Sequence, residues 1–237
     1  MNKNALYILP NLFTVGSIFL GIWSIILASD GDFEMACLLV LFSAILDGLD
    51  GRIARLTGTS SKFGVELDSL ADIVAFGVAP AFILYFYVGQ NYGRMGMAVS
   101  AIFVILGAVR LARFNIANPN VEPNSFIGLP IPSAGIALSF WILNDIEYGI
   151  LLQHNLGFLL LIFAFLLAIL MVSNIRYSSF KKMKFNLRTL ILLILVLILA
   201  FLSPYEVIGA SISLYIFFGL LRFIFLGIKI LFRKRAS

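Results

Sequence analysis

The chain has 237 residues, 61% of them hydrophobic and 12% charged, with a mean hydropathy of +1.04, a balance that excludes a water-soluble domain as the bulk of the molecule. Its net charge of +5 calls for no nucleic-acid partner, because basic loops beside a bilayer meet anionic headgroups at about 1 kcal/mol per residue. The single cysteine, Cys37, excludes an intrachain disulfide or a cysteine metal cluster.

A spanning helix needs about 20 mostly apolar residues. In chain order, such stretches are predicted at roughly 12–29, 34–54, 67–89, 95–114, 130–144, 156–174, 187–203 and 207–230. Ahead of the first, Pro10-Asn11-Leu12-Phe13-Thr14 reads as an interfacial lead-in, and the absence of a small-residue cleavage site after the stretch argues against a removable signal peptide. Cys37 falls inside the second stretch and reads as a packing residue, while His154, between the fifth and sixth, reads as structural or solvated. Glycines and a proline within Phe76-Gly77-Val78-Ala79-Pro80 allow close helix approach or a kink. The expected fold is all-α: a polytopic membrane protein of about eight transmembrane helices. It forms one domain over 1–237, with a catalytic core at about 1–174 and an additional C-terminal helix pair at about 187–230.

Lysine and arginine concentrate on the cytoplasmic side of membrane proteins. With eight spans, all but Arg94 of the 17 basic residues fall on one side, whereas Asp30, Asp32, Glu34, Asp145, Glu147 and Glu206 fall on the other. Both termini are therefore expected in the cytoplasm, with the protein integral to the cell membrane.

Ionisable residues in a spanning helix are costly and point to function. Asp47 and Asp50 are spaced i, i+3 near the end of the second stretch, and Asp68 and Asp72 are spaced i, i+4 at the start of the third, so each pair shares a helix face. The short connection from Arg55 to Gly64 makes the two helices antiparallel neighbours and brings the pairs together at the cytoplasmic mouth. Clustered carboxylates favour hard divalent cations such as Mg²⁺, Mn²⁺ or Ca²⁺ over zinc, and two ions about 3.5–4 Å apart suit phosphoryl transfer. Gly48, Gly51 and Gly64 let backbone approach a bulky ligand, and Arg52, Arg55 and Lys62 offer charge to its phosphates.

The full pattern, Asp47-x2-Asp50-Gly51-x2-Ala54-Arg55-x8-Gly64-x3-Asp68-x3-Asp72, resembles the signature of the CDP-alcohol phosphotransferase family without departure. The resemblance implies a CDP-linked lipid donor, Mg²⁺ or Mn²⁺ (two per site) held by the four aspartates, and Asp72 as general base. It also implies nucleotide and phosphate contacts from Gly51, Arg52, Ala54, Arg55, Lys62 and Gly64, and a homodimer.

Within that family, the chain is similar to the membrane-embedded phosphatidylserine synthases. The similarity rests on Phe63 to Asp72 continuing through Phe76-Gly77-Val78-Ala79-Pro80-Ala81, on Arg110-Leu111-Ala112-Arg113-Phe114-Asn115, on Phe126 to Ala134, and on Pro10 to Thr14. It implies CDP-diacylglycerol and L-serine as substrates and phosphatidylserine and CMP as products. Arg110 and Arg113, level with the aspartates, are candidates to grip a serine carboxylate or a lipid phosphate, and Asn115 to add a hydrogen bond; the competing role for the arginines is that of positive-inside anchors. Glu66 stays without a role.

Two rivals remain at this stage. The same chemistry with glycerol 3-phosphate or inositol phosphate as acceptor would need more basic residues near the site than the short loops offer. A cation-coupled transporter would place its carboxylates near the midplane and within an inverted repeat, and neither feature is visible.

Overall fold

The computed structural model describes residues 3–59, 61–116, 125–178, 203, 206–207 and 209–221, with side chains for those from residue 10 onward except 125, 126 and 178. The described residues are helical apart from short turns and one pair of three-residue strands.

Helix α1 (Lys3–Ser29) and α2 (Phe33–Thr57) form an antiparallel hairpin. Asp32 caps α2 by accepting from the Met35 amide at 3.1 Å, and Gly58, in the left-handed region at φ 65°, ends it. One face of α1 carries Thr14, Ser17, Gly21, Ser24 and Ala28, all buried. Small residues at this spacing let the backbones approach, and hydroxyls bridge them: Ser17 and Ser43 lie 2.6 Å apart, and Ser24 donates to the Ala36 carbonyl at 2.8 Å. The predicted lead-in at 10–14 is thus already helix, with Pro10 inside it.

The third apolar stretch is one long helix made of α3 (Lys62–Asp72), a π-helical segment (Ile73–Val78) and α4 (Ala79–Tyr87). Pro80 lacks an amide hydrogen and its ring crowds the carbonyl four residues back, so the helix widens ahead of it, and the Ala79 amide reaches the Val74 carbonyl. This widened segment is clamped on both sides. A Cβ at Gly21 would sit 2.9 Å from Ala75 Cα, and one at Gly135 would sit 2.6 Å from the Phe76 carbonyl oxygen.

Helix α5 (Arg94–Ile116) follows, then strand β1 (Ser125–Ile127), α6 (Ile131–Tyr148), the short α7 (Ile150–Gln153), α8 (Phe158–Val172), strand β2 (Arg176–Ser178) and α9 (Gly209–Leu221). The strands pair antiparallel, with Phe126 opposite Tyr177, a ribbon that the hydropathy pattern does not reveal. The core runs through α4, α6 and α8 and is rich in alanine: Ala79, Ala134, Ala137, Ala164 and Ala168 are buried.

Among the described residues, three helices are long and apolar enough to cross a bilayer, Pro10–Ser29, Lys62–Tyr87 and Arg94–Ile116, and shorter apolar helices cover Phe158–Val172 and Gly209–Leu221. The outward faces of these helices and of α2 carry large apolar side chains such as Phe19, Phe42, Ile105 and Phe217, each more than half exposed, which marks the chain as membrane-embedded. Six of the expected apolar stretches coincide with helices. The stretch at 187–203 lies outside the described residues, and that at 207–230 is described as far as Leu221. Cys37 is buried, and His154 is exposed at the end of α7.

Candidate active site

The site forms where the α1–α2 hairpin meets α3. Gly58 reverses the chain, Thr57 and Thr59 share a hydroxyl contact of 2.7 Å, and Ser61 caps α3 by accepting from the Gly64 amide at 3.0 Å. This tight turn makes the last turns of α2 and the first turns of α3 adjacent, which converts two sequence-local carboxylate pairs into one cluster. Carboxylate oxygens of Asp47, Asp50 and Asp68 lie within 4.8 Å of one another. Asp72 stands outside that trio but its carboxyl meets that of Asp47, with Asp68 and Arg110 within electrostatic reach.

At such separations each carboxylate pair repels by about 3 kcal/mol at an effective dielectric of about 20. Protein groups offset little of this. Asp50, only 5% exposed, accepts from the Thr14 hydroxyl at 2.7 Å, whereas Oδ1 of Asp72 is buried without a hydrogen-bond partner. An all-oxygen, anionic donor set with an orphaned buried oxygen fits a hard divalent cation.

Beside the cluster opens a cleft of about 200 Å³ lined by Asn11, Thr14, Asp50, Gly51, Arg55 and Asp68, together with Pro10, Ala54, Thr59, Ser61, Gly64 and Val65. Of the residues expected to meet nucleotide and phosphates, Gly51, Ala54, Arg55 and Gly64 line it, whereas Arg52 and Lys62 are exposed and outside its lining. A Cβ added at Gly48 or Gly51 would meet no protein atom within 4 Å, so open space and not helix packing lies over these two glycines. The contribution of α1 through Asn11 and Thr14 was not foreseen from the sequence. Its signal was available in the stripe Thr14, Ser17, Gly21, Ser24 and Ala28, which marks the face of α1 turned inward.

The three residues at the end of α5 separate. Arg110 is 6% exposed, lies near Asp72 and stacks over the Phe114 ring at 5.2 Å. Arg113 donates to the Val172 carbonyl at 2.6 Å and to Asn174 Oδ1 at 3.1 Å, bracing the end of α8. Asn115 bonds Ser69 at 3.1 Å and Glu66 at 3.5 Å, tying α5 to α3.

Comparison with known proteins supplies relatives of all or part of the chain. A CDP-diacylglycerol–serine O-phosphatidyltransferase of Helicobacter pylori strain J99 is 57% identical over 237 residues, all of both chains. The protein of that name from Methanocaldococcus jannaschii is 41% identical over 145 residues, 61% of this chain and 64% of its own. An archaetidylserine synthase of Methanothermobacter thermautotrophicus is 33% identical over 177 residues, 74% of this chain and 71% of its own. The family model for CDP-alcohol phosphatidyltransferases matches residues 7–231, so nearly the entire chain, the aspartate cluster included, belongs to the CDP-alcohol phosphatidyltransferase family.

Proposed function

We propose that this protein transfers the phosphatidyl group of CDP-diacylglycerol to L-serine, giving phosphatidylserine and CMP. The carrying observation is the gathering of Asp47, Asp50 and Asp68 within 4.8 Å, with Asp72 against Asp47, at the edge of a glycine- and arginine-lined cleft. Serine as acceptor is supported by the name of the full-length relative.

Asp47, Asp50, Asp68 and Asp72 are the residues that would hold Mg²⁺ or Mn²⁺, two ions per site. Held by these carboxylates, the ions would supply positive charge to offset that of the donor diphosphate and of the CMP leaving group. Arg55 attracts the diphosphate, aided from the rim by Arg52 and Lys62, while Gly51, Ala54 and Gly64 leave room for the nucleotide. Thr14 fixes the orientation of Asp50. Asp72 takes the proton of the serine hydroxyl, whose oxygen attacks the lipid-side phosphorus as the bond to CMP breaks. Arg110 binds the serine carboxylate beside Asp72; Arg113 and Asn115 hold α5 at the margin of that pocket.

In this reading the chain is one domain over 1–237, with a core at about 1–174 and a C-terminal helix pair at about 187–230. It has about eight spans, with both termini and the site at the cytoplasmic face of the cell membrane, and it works as a homodimer. The distribution of basic residues supports the orientation. CDP-diacylglycerol then enters sideways with its acyl chains still in lipid.

The test is CMP release from CDP-diacylglycerol by purified protein with Mn²⁺ or Mg²⁺, comparing L-serine, glycerol 3-phosphate and inositol phosphate. Release that depends on serine and metal is expected. Release with another acceptor alone would reassign the substrate, and none with any acceptor, from folded protein, would sink the transferase reading.

A further inference from the structure

At the end of the molecule away from the aspartates, α6 and α9 enclose a second cavity of about 410 Å³, within the range of about 300–1,000 Å³ usual for small-ligand sites. Trp141, Asn144, Asp145 and Tyr148 line it from α6, at the i, i+3, i+4, i+7 spacing of a single helix face. Facing them are Gly209, Ala210 and Ser213 of α9, with Glu206 just ahead of that helix. Hydrogen bonds close the gap at both ends: the Trp141 indole donates to Ser213 Oγ at 3.2 Å, and the Tyr148 hydroxyl donates to Glu206. Between these ends the α9 side is Gly209 and Ala210, too small to fill the space. Asp145 accepts from the Tyr87 hydroxyl at 2.9 Å. Tyr87 ends the long helix on which Asp72 sits, about 20 Å further along at 1.5 Å per residue, so the cavity is no part of the aspartate site.

The lining sets the charge of the occupant. Asp145 and Glu206 bring two carboxylates, and none of the described lining residues is basic. Asp145 and Glu147 both lie in the last turn of α6, which holds no basic residue, so their charge adds to the negative end of the helix dipole. Asp145, 4% exposed, takes one hydrogen bond on each oxygen, from Tyr87 and from the Leu151 amide at 2.6 Å, which fixes the carboxylate and leaves it further lone pairs. Such a site repels an anion and attracts a cation, while Trp141, Ile150 and Leu151 offer an apolar wall to the rest of the ligand. Leu214 and Phe217 of α9 are each more than half exposed and put hydrocarbon beside the cavity, so a lipid and not a soluble amine supplies the cation.

We propose that this cavity binds one membrane lipid whose headgroup ends in an ammonium, with the ammonium between Glu206 and Asp145 and an acyl chain against Trp141, Ile150 and Leu151. The lipid fills the gap between α6 and α9 and holds the C-terminal helix to the body of the protein.

The full chain, stripped of lipid in a non-ionic detergent, is melted with phosphatidylethanolamine, phosphatidylglycerol or free ethanolamine, and retained lipid is counted by native mass spectrometry. Phosphatidylethanolamine at ten times its Kd is expected to raise the melting temperature by about 3–5 °C, with a single molecule retained per chain. Phosphatidylglycerol, which lacks the cation, and ethanolamine, which lacks the chains, are each expected to shift it by less than about 1 °C. Glu206→Gln keeps an acceptor for Tyr148 and deletes only the charge, so it is expected to weaken phosphatidylethanolamine binding about ten-fold while the lipid-free melting temperature stays unchanged. Ala210→Leu fills the gap and is expected to abolish the shift; Glu206→Gln carries the test if that variant fails to fold. Equal shifts from the two phospholipids, a shift from ethanolamine as large as the lipid's, undiminished binding by Glu206→Gln, or no retained lipid would each overturn the proposal. Neither readout involves turnover, so failure here leaves the phosphatidyl-transfer reading untouched.

Discussion

The hydroxyl of Thr14 donates to Oδ2 of Asp50 across 2.7 Å, and the same hydroxyl lies 3.2 Å from the Pro10 carbonyl. The first helix therefore fixes the orientation of a carboxylate on the second, and Asp50 presents its remaining oxygen lone pairs to the cluster.

Replacing Thr14 with valine keeps the shape of the side chain and deletes the hydroxyl. The loss of one hydrogen bond to a charged group in a buried setting should raise the Mn²⁺ concentration for half-maximal CMP release about ten-fold, while the protein stays folded in detergent. A metal titration identical to that of the parent would remove Thr14 from the site.

Gly51 and Gly96 should respond oppositely to the same substitution. A Cβ at Gly96 would lie 2.0 Å from the Gly89 carbonyl oxygen, so Gly96→Ala should fail to fold; at Gly51 it would meet no protein atom within 4 Å. Inside a helix, Gly→Ala contributes about 1 kcal/mol, about 2–4 °C in a chain of this size. Gly51→Ala is therefore expected to melt no lower than the parent yet lose about ten-fold or more in activity, because its methyl group fills the ligand cleft. Full activity in that variant would show that the cleft is not the nucleotide site.

How much of this was legible in the sequence divides along physical lines. The pairing of Asp47 with Asp50 and of Asp68 with Asp72 follows from helix periodicity, and their union from a turn too short to do anything but reverse the chain, so the cluster could be read before any coordinates. The helices over the first six apolar stretches followed from run length and hydropathy in the same way. What escaped was set by tertiary packing. The role of Arg113 depends on the end of α8 lying beside it, and Tyr177 gains its neighbours from a strand pair three residues long and from α9. Neither contact leaves a periodic trace in the chain, because each joins segments 38 or more positions apart.

Asp72 tests the division of labour among the carboxylates. Asp72→Asn preserves size and removes the basic oxygen, so turnover should fall by about 10²–10⁴ while CDP-diacylglycerol still binds. Asp50→Asn, in the trio with Asp47 and Asp68, should weaken donor binding itself. If Asp72→Asn keeps a tenth or more of the parent kcat, the proton leaves by another route.

Arg113 is predicted to hold structure and not substrate. Its two hydrogen bonds, to the Val172 carbonyl and Asn174, close the C-terminal end of α8, where orphan carbonyls accept from cations. Arg113→Met should lower the melting temperature by about 2–4 °C and leave the serine KM within about two-fold. A selective rise in serine KM with unchanged melting would place Arg113 against the acceptor.

Metal binding can be read without turnover. The repulsion among Asp47, Asp50 and Asp68 is a cost of the folded state that the unfolded chain avoids by separating the charges, so a cation bound only to the folded protein both removes that cost and adds its binding energy. At a concentration 100 times Kd the stabilisation is about 2.7 kcal/mol, about 5–10 °C by the same scaling. Melting of EDTA-stripped protein should rise by that amount with Mn²⁺ or Mg²⁺, and Zn²⁺ should be less effective on an all-oxygen donor set. Asp50→Asn removes one donor and one source of repulsion together, so it should melt higher than the parent in EDTA and gain less from Mn²⁺. A melting temperature that ignores both ions, or a variant that gains as much as the parent, would show that the carboxylates do not form a metal site.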